Sequence, residues 1–313
     1  DQHGHAVCHR RSRLSMISSS LAGARARLWL AALLLVVLAG CSSTRFAYNR
    51  LDFLVPWYLG DYVSLDRDQG RLLKTELQPF LTWHRRHELP RYVALLDRIE
   101  GKLERELTVA DMRILTGEAE LAIYRLQDRA LNWMLALGEE LRDEQMAEFL
   151  AGLQEQQSEY EEKYLERDDA EYRADACERL QDNARKYVGR LQREQKAGLA
   201  AACDDLRRSD RLWLEARAQW LVRLERILQR EPGWQETLRQ ALVQRDETVS
   251  ADYRSTYDHN AMVIQLAVAN LLNSRSERQD AHLRRELGKL RRDLVALVEQ
   301  GGQEFESVAL STD

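Results

Sequence analysis

The sequence predicts an all-α fold, an elongated bundle of long helical hairpins behind a cleaved lipoprotein signal peptide. The chain has four prolines among 313 residues, and none lies between Pro90 and Pro232. Long proline-free segments rich in leucine and charged residues favour long helices. Apolar residues recur every three or four positions in several segments, as they do along one face of a helix. A short apolar run between two arginines and a cysteine predicts the signal peptide.

The apolar run at residues 28–39 has the length of a signal-peptide core. It is shorter than the roughly 20 residues of a membrane-spanning helix and lies within the about 7 to 15 of a signal peptide. Arg25 and Arg27 supply the positive charge before it. The following Leu38-Ala39-Gly40-Cys41 resembles the lipobox of bacterial lipoproteins, in which the cysteine is acylated and becomes the first residue after cleavage.

These features predict a signal peptide at residues 1–40 and lipidation of Cys41. Met16 offers an alternative start, which would leave residues 1–15 untranslated. Several acyl chains on one cysteine bind a protein firmly to a bilayer without any segment crossing it. Ser42 stands where an aspartate would resemble an inner-membrane retention signal. We therefore expect a protein attached to the lipid bilayer of the outer membrane through Cys41 and facing the periplasm.

The charge of the mature chain argues against one class of partner. Residues 1–40 contain five arginines and one aspartate, so the remaining 273 residues carry 41 basic and 50 acidic side chains, a net charge of −9. A negative surface disfavours nucleic acid and anionic lipid surfaces as partners. A chain of this length can bury a substantial core.

Residues 41–64 form an aromatic-rich segment before the helical domain at 65–313. Six aromatic residues follow the predicted lipid closely: Phe46, Tyr48, Phe53, Trp57, Tyr58 and Tyr62. Aromatic rings with polar tips favour a membrane interface, which predicts a tether that rests on the bilayer. We favour the alternative, a first short helix packed on the bundle, because Pro56 and Gly60 break the segment.

Three segments of the helical domain have a one-sided apolar pattern. Their apolar residues are Ala119, Ile123, Leu126, Ala130, Trp133 and Leu137; Trp213, Ala216, Trp220, Leu224 and Ile227; and Leu283, Leu287, Leu290, Leu294 and Leu297. Each set steps by three or four residues and predicts an amphipathic helix. Residues 262–272 are apolar nearly all round, which predicts a central helix enclosed by others.

A short motif, Leu-x-x-acid-Gln, marks predicted helix starts. It occurs at residues 65–69, 141–145 and 191–195, with a weaker copy at 107–111. Asp66 and Thr108 have side chains that cap backbone N–H groups. Arg142 and Gln192 lack that chemistry. The copies are unequally spaced, which argues against a regular solenoid and for a bundle of hairpins.

The sequence resembles two groups of bacterial proteins. The glutamine motif is similar to the Leu-Thr-x-x-Gln motif of small periplasmic helical chaperones, although a capped helix start also explains it. A closer resemblance covers nearly all of the mature chain and is carried by STRFAYNRLD at 43–52, by Trp57, Tyr62, Leu65 and Gln69, and by WHRRHELPRY at 83–92. These stretches look like a family of Gram-negative lipoproteins known only as a domain of unknown function (type 6279). The resemblance implies a helical envelope lipoprotein and supplies no catalytic residues.

His84 and His87 are the best candidates for metal ligands, because they lie three residues apart on a predicted helix beside Glu88. No third ligand is evident, and the stretch HRRHEL is more typical of a solvated helix face. The sequence has no zinc, di-iron or phosphate-binding motif and no glycine-flanked nucleophile. We therefore predict no catalytic residues, no metal, no cofactor and no enzymatic activity.

Two classes of function remain. The first is an interaction or scaffold module, or a chaperone-like periplasmic binding protein, that holds an envelope protein partner. The second is an envelope hydrolase whose site assembles from residues distant in sequence. An apolar concavity without converging polar groups favours the first class, and a pocket with clustered titratable side chains favours the second.

Cys177 and Cys203 are the other two cysteines of the mature chain, and each lies 13 residues from Arg190. A turn near Arg190 would place them level with each other in a helical hairpin, with both sulfurs in its seam. Because the periplasm is oxidising, we predict a Cys177–Cys203 disulfide. Two buried thiols are the alternative, since helix axes about 8 to 10 Å apart often hold Cα atoms too far apart for the bond.

Overall fold

The computed structural model describes residues 43–311. The predicted signal peptide and the predicted lipidation site, Cys41, lie outside the described residues. Every regular element between residues 43 and 311 is helical, which confirms the predicted all-α bundle. Within this range no helix is both long enough and apolar enough to span a bilayer.

The chain divides into two compact units, Asp1–Asn49 and Arg50–Asp313. The described part of the first unit contains one short helix, α1 (Ser43–Tyr48). The second unit contains α2 (Leu51–Leu59), α3 (Arg67–Trp83), α4 (Leu89–Lys102), α5 (Val109–Glu140), α6 (Asp143–Leu165), α7 (Asp169–Val188), α8 (Arg193–Asp204), α9 (Asp210–Ile227), α10 (Trp234–Val243), α11 (Ala251–Asn273) and α12 (Glu277–Ser311). A π-helical turn (His84–Glu88) joins α3 to α4, and a 3-10 turn (Arg245–Glu247) precedes α11.

Neighbouring helices in the second unit pack as pairs. Helix α3 packs against α5, α4 against α12, and α6 against α9. Helices α7 and α8 form the predicted hairpin, and α11 packs against both α8 and α5. The largest group of buried apolar residues surrounds α5, α6, α9 and α10, and a second group lies between α7, α8 and α11.

The Leu-x-x-acid-Gln copies do mark helix starts. Helix α3 begins after Asp66, whose carboxylate accepts from the backbone N–H of Gln69 at 3.0 Å while the Gln69 amide accepts from the backbone N–H of Asp66. Helix α5 begins after Thr108, which forms the same reciprocal pair with Asp111. Helices α6 and α8 begin at the other two copies although their N-cap residues accept no side-chain bond. There the glutamine alone binds the N-cap backbone.

The glutamines at these starts form buried pairs. In the first glutamine pair, Gln69 Nε2 donates to Gln145 Oε1 at 2.9 Å, and Gln145 Nε2 donates to Gln69 Oε1 at 2.7 Å. Each Oε1 also accepts the backbone N–H of its own N-cap residue at 3.0 Å. Each Nε2 also donates to a backbone carbonyl just before the partner helix, at 2.8 and 2.6 Å. The pair therefore joins α3 to α6 with all of its polar groups satisfied.

The second glutamine pair, Gln195 and Gln279, repeats this arrangement. The two side chains exchange hydrogen bonds of 3.0 and 2.8 Å, and each Oε1 accepts from its own N-cap backbone. Each Nε2 again donates to a carbonyl just before the partner helix. The pair joins α8 to α12. The motif does not reveal Gln279 in the sequence, because the copy at residues 275–279 has arginines in place of the leucine and the acid.

Two predictions about apolar faces were wrong. Ile123 in the first half of α5 is 61% exposed, although it belongs to the predicted buried stripe. Helix α11 is not enclosed, since Met262 and Leu266 are 49% and 48% exposed. Both helices are buried only where they meet their neighbours, and α11 buries mainly small residues such as Ala267 and Ala269. Periodicity showed which positions are apolar but not how many neighbours each helix has.

The aromatic-rich segment contains a helix with two apolar sides. Leu54 and Leu59 of α2 are half-buried, and Leu59 packs against the largest group of buried residues. Phe53 and Trp57 on the other side are both 62% exposed. Helix α2 therefore packs on the bundle as a short helix while keeping aromatic rings in solvent. The assignment of residues 41–64 as a tether or a first helix stays a prediction.

Candidate functional site

An apolar cavity of about 290 Å³ lies beside the first glutamine pair. Leu141 and Met146, which flank Gln145, contribute to its wall together with Val63. The largest side chains around it are Trp133, Trp220, Trp234, Phe149, Met134 and Met146. Ligand sites are concave and mainly apolar, with a few polar groups that orient the ligand. This cavity is therefore the candidate functional site.

Several contacts hold Trp234 and the loop before α10 against the end of α5. Helix α5 approaches α10 closely at Gly138, where an added Cβ would lie 3.1 Å from the Trp234 ring. The Trp234 indole N–H donates to a carboxylate oxygen of Glu139 at 3.1 Å, which fixes the ring against the end of α5. The loop before α10 is held by Arg230, whose guanidinium donates to the backbone carbonyls of Gly138 and Leu141. These contacts hold the Trp234 ring in place in the cavity wall.

Polar chemistry in the wall is confined to a few groups. Among the described residues, Gln127 and Arg245 are the only members of the wall with an amide or a charge, and Arg245 Nη1 donates to Gln127 Oε1 at 3.3 Å. The wall also contains Trp133, whose buried Nε1 has no hydrogen-bond partner in the described part of the chain. None of the described wall residues is a serine, cysteine, histidine or carboxylate. This site can bind a molecule, but it lacks the groups of a hydrolase.

Tyrosines and carboxylates surround Arg245. The hydroxyl of Tyr124 donates to Asp246, and this bond raises the pKa of Tyr124. Burial together with a hydrogen bond to Glu120 raises the pKa of Tyr257 to about 12. Both tyrosines stay protonated at neutral pH, and each donates its hydroxyl hydrogen to a carboxylate.

The two histidines considered as candidate metal ligands, His84 and His87, lie elsewhere, in the π-helical turn. His84 is half-buried and stacks on Phe80, and burial lowers its pKa. His87 is exposed. No group of three or more histidine, cysteine or acidic residues that could hold a metal occurs in the described part of the chain.

The π-helical turn instead buries a carboxylate. Glu88 is fully buried, and its oxygens accept from Arg125 at 2.7 and 2.9 Å and from Arg91 at 2.6 Å. Burial opposes ionisation of Glu88, but the two arginines outweigh it and hold the pKa of the carboxyl below its usual range. π turns often occur at functional sites, but a carboxylate paired with two arginines has the chemistry of a structural ion pair.

Cys177 lies on α7 and Cys203 on α8, the two helices of the hairpin. Their Cα atoms are 5.4 Å apart and their sulfurs form a disulfide in the structure. The distance lies within the range that the bond requires. Formation of the bond in cells stays a prediction, which thiol mapping tests below.

Comparison with known proteins gives one match. The sequence model of a family of unknown function (DUF6279) matches residues 61–254. The chain belongs to this family. The match includes the first glutamine pair, both cysteines of the hairpin and most of the cavity wall, and it ends before Gln279. The description of the family names no enzymatic activity.

Two further comparisons found nothing. No curated protein and no solved structure matches the chain. The similarity to small periplasmic helical chaperones is not supported by these comparisons.

Proposed function

We propose that this protein is an outer-membrane lipoprotein, attached through acylated Cys41 and facing the periplasm, that binds an envelope protein and has no catalytic activity. The observation that carries the binding role is the concentration of exposed apolar side chains on α5 and α11. They are Ile114, Leu121, Ile123, Tyr124, Tyr257, Met262, Ile264 and Leu266. Exposed apolar side chains mark interaction sites where they are contiguous, and α5 and α11, which carry these residues, pack against each other.

A protein is the partner that this surface fits best. Helices α5 and α11 lie side by side, joined by a Gln265–Thr116 hydrogen bond of 2.9 Å and a Tyr257–Glu120 hydrogen bond of 3.0 Å. Tyrosine, methionine and branched apolar residues next to charged groups are typical of protein interfaces. A net charge of −9 for residues 41–313 disfavours an anionic lipid surface as the occupant.

Two of the buried carboxylates, Asp210 and Asp111, are engaged in ion pairs. Asp210 accepts from Arg167 at 2.9 Å and from Arg208 at 2.7 Å. Asp111 accepts from Lys102 at 2.6 Å and from Arg105 at 2.7 Å. Carboxylates fixed in this way stabilise the fold and are poor acid–base catalysts, because the arginines and lysines hold their pKa values low.

Photo-crosslinking in cells tests the binding role. A photoreactive amino acid is placed at Leu121 or at Ile264, and at Glu178 on α7 as an exposed control. We expect the same envelope protein to be captured from both apolar positions and not from Glu178. Capture at neither apolar position, or equal capture from Glu178, would contradict the proposal.

The attachment is tested separately through Cys41. The Cys41→Ala protein should lose metabolic labelling by fatty acid and should leave the outer-membrane fraction, because the change removes the cysteine of the lipobox-like sequence. A Cys41→Ala protein that fractionates like the wild type, together with an unlabelled wild type, would contradict the anchor.

A further inference from the structure

We propose that the apolar cavity binds the acyl chain of a single-chain anionic amphiphile whose head group lies at Arg245. This goes beyond the proposed function, because it concerns a different site and requires neither a protein partner nor an acylated Cys41. It assigns a ligand class to a cavity that the family match leaves without one.

The volume of the cavity fits one acyl chain. A cavity of roughly 150 Å³ holds a benzene molecule. The present cavity, at about 290 Å³, is twice as large. It therefore accommodates on the order of twelve methylene-sized groups. A phospholipid with two long chains would not fit inside it.

The wall has the chemistry of an acyl-chain site. Indole rings, leucines and methionines offer apolar contact without hydrogen-bond acceptors, so polar molecules lose their hydration on entry without compensation. Methionine side chains adapt to irregular flexible ligands, and Met134 and Met146 both belong to the wall. Met134 is 49% exposed, so the cavity reaches the surface beside it.

Arg245 supplies the charge that the head group requires. Its Nη1 donates to the neutral Gln127 at 3.3 Å, and its Nε donates to Asp246 at 3.5 Å in an ion pair. Asp246 also accepts from Tyr124. A guanidinium has five donors, and two are engaged in the described part of the chain. The others are suited to the two oxygens of a carboxylate or phosphate.

Trp133 provides a second, independent indication of a ligand. Buried indole N–H groups nearly always have a hydrogen-bond partner. Among the described residues the Trp133 N–H has none, although the ring belongs to the cavity wall. An oxygen atom of a bound amphiphile would provide the missing acceptor.

Quenching of tryptophan fluorescence by bromododecanoate tests the proposal. The mature protein is purified from cells and held in phospholipid nanodiscs, with empty nanodiscs as the baseline. Bromine quenches nearby indoles, and three of the wall residues are tryptophans. If the protein does not associate with nanodiscs, the same titration in buffer measures binding, so a failed anchor leaves this test intact.

Matched variants distinguish the contribution of the acyl chain to binding from that of the head group. Arg245→Gln should weaken dodecanoate binding about tenfold and leave dodecan-1-ol binding unchanged, because only the carboxylate uses the charge. Arg239→Gln is the control, since Arg239 binds the neutral Asn132 at 2.9 Å and does not belong to the wall. Met134→Trp, which narrows the cavity at the surface, should weaken both probes.

The outcomes decide the proposal. Displacement of the brominated probe by dodecanoate or by a lysophosphatidylglycerol of equal chain length supports it, and the stronger competitor identifies the source of the acyl chain. The proposal is overturned if neither compound displaces the probe. It is also overturned if Arg245→Gln and Arg239→Gln reduce binding equally, since surface charge alone would then explain the affinity. A protein partner captured at Leu121 affects neither conclusion.

Discussion

The two glutamine pairs join helices through the same set of hydrogen bonds, but the residues packed around the two pairs differ. Gln69–Gln145 and Gln195–Gln279 have matching sets of hydrogen bonds to each other and to the adjacent backbone. Beside the first pair lies an apolar cavity of about 290 Å³. The hairpin that carries Gln195 of the second pair has the Cys177–Cys203 disulfide at the other end of α8.

The concave surface near the second pair is also chemically different. It is formed by charged and polar side chains, among them Arg190, Arg278 and Arg285. The apolar residues beneath it are few and well buried, as Leu199 and Val188 show. A hydrogen-bonded glutamine pair therefore fixes where two helices begin, but it does not determine how the adjacent core is packed. One region therefore contains an apolar cavity, while the other contains a small group of well buried residues.

Removing the disulfide should have the largest effect on stability. The Cys177→Ala/Cys203→Ala variant should lose about 3 kcal/mol of unfolding free energy, because an unfolded chain without the cross-link gains entropy. Urea denaturation measures the loss, and dodecanoate binding should not change, since the cavity lies in the other region. Alkylation of both thiols in wild-type protein purified without reductant would contradict the bond.

Breaking either glutamine pair should cost less, and the cost should be similar in both regions. Gln145→Leu and Gln195→Leu should each lower the unfolding free energy by about 2 kcal/mol, because each change leaves buried amide and backbone groups without partners. Gln69→Leu added to Gln145→Leu should cost less than the sum of the single changes. Urea denaturation of the full double-mutant cycle measures this, and strict additivity would show that the two side chains act independently.

Much of the fold could be predicted from the sequence, because the signals are local. The three Leu-x-x-acid-Gln copies and their weaker relative mark true helix starts, and the Cys177–Cys203 spacing matches the hairpin that forms. A capped start needs only residues within one turn, so it is readable without tertiary structure. Family membership was likewise expected from motifs at residues 57–69 and 83–92, and the match over residues 61–254 confirms it.

The candidate site could not be predicted, because it depends on contacts between distant residues. Gln69 and Gln145 lie 76 positions apart, and no local pattern indicates that they pair. Most of the cavity wall comes from α5 and α6 together with α9 and α10, a pair distant from them in the sequence. Exposure of Ile123 has the same origin, since helix periodicity does not reveal which side lacks a neighbour.

Replacing one glycine in each region by alanine should give the smallest change in unfolding free energy. Gly198→Ala on α8 should raise the unfolding free energy by about 0.5 to 1 kcal/mol, because alanine favours helix and no atom lies within 4 Å of the new Cβ. Gly138→Ala on α5 should give less or change sign, because its Cβ would press on Trp234 at 3.1 Å. Thermal unfolding monitored by circular dichroism measures both, and equal stabilisation would show that Trp234 moves freely.

The difference between the two regions is tested most directly by photolabelling with dodecanoate that carries a diazirine at its terminal carbon. The label is activated on the purified mature protein, and the modified residues are mapped by mass spectrometry of peptides. We predict adducts on the cavity wall, at residues 131–137 of α5 and 146–149 of α6. Adducts around Arg190 and Arg278 instead would show that the amphiphile binds through charge alone and would contradict a binding cavity beside the first glutamine pair.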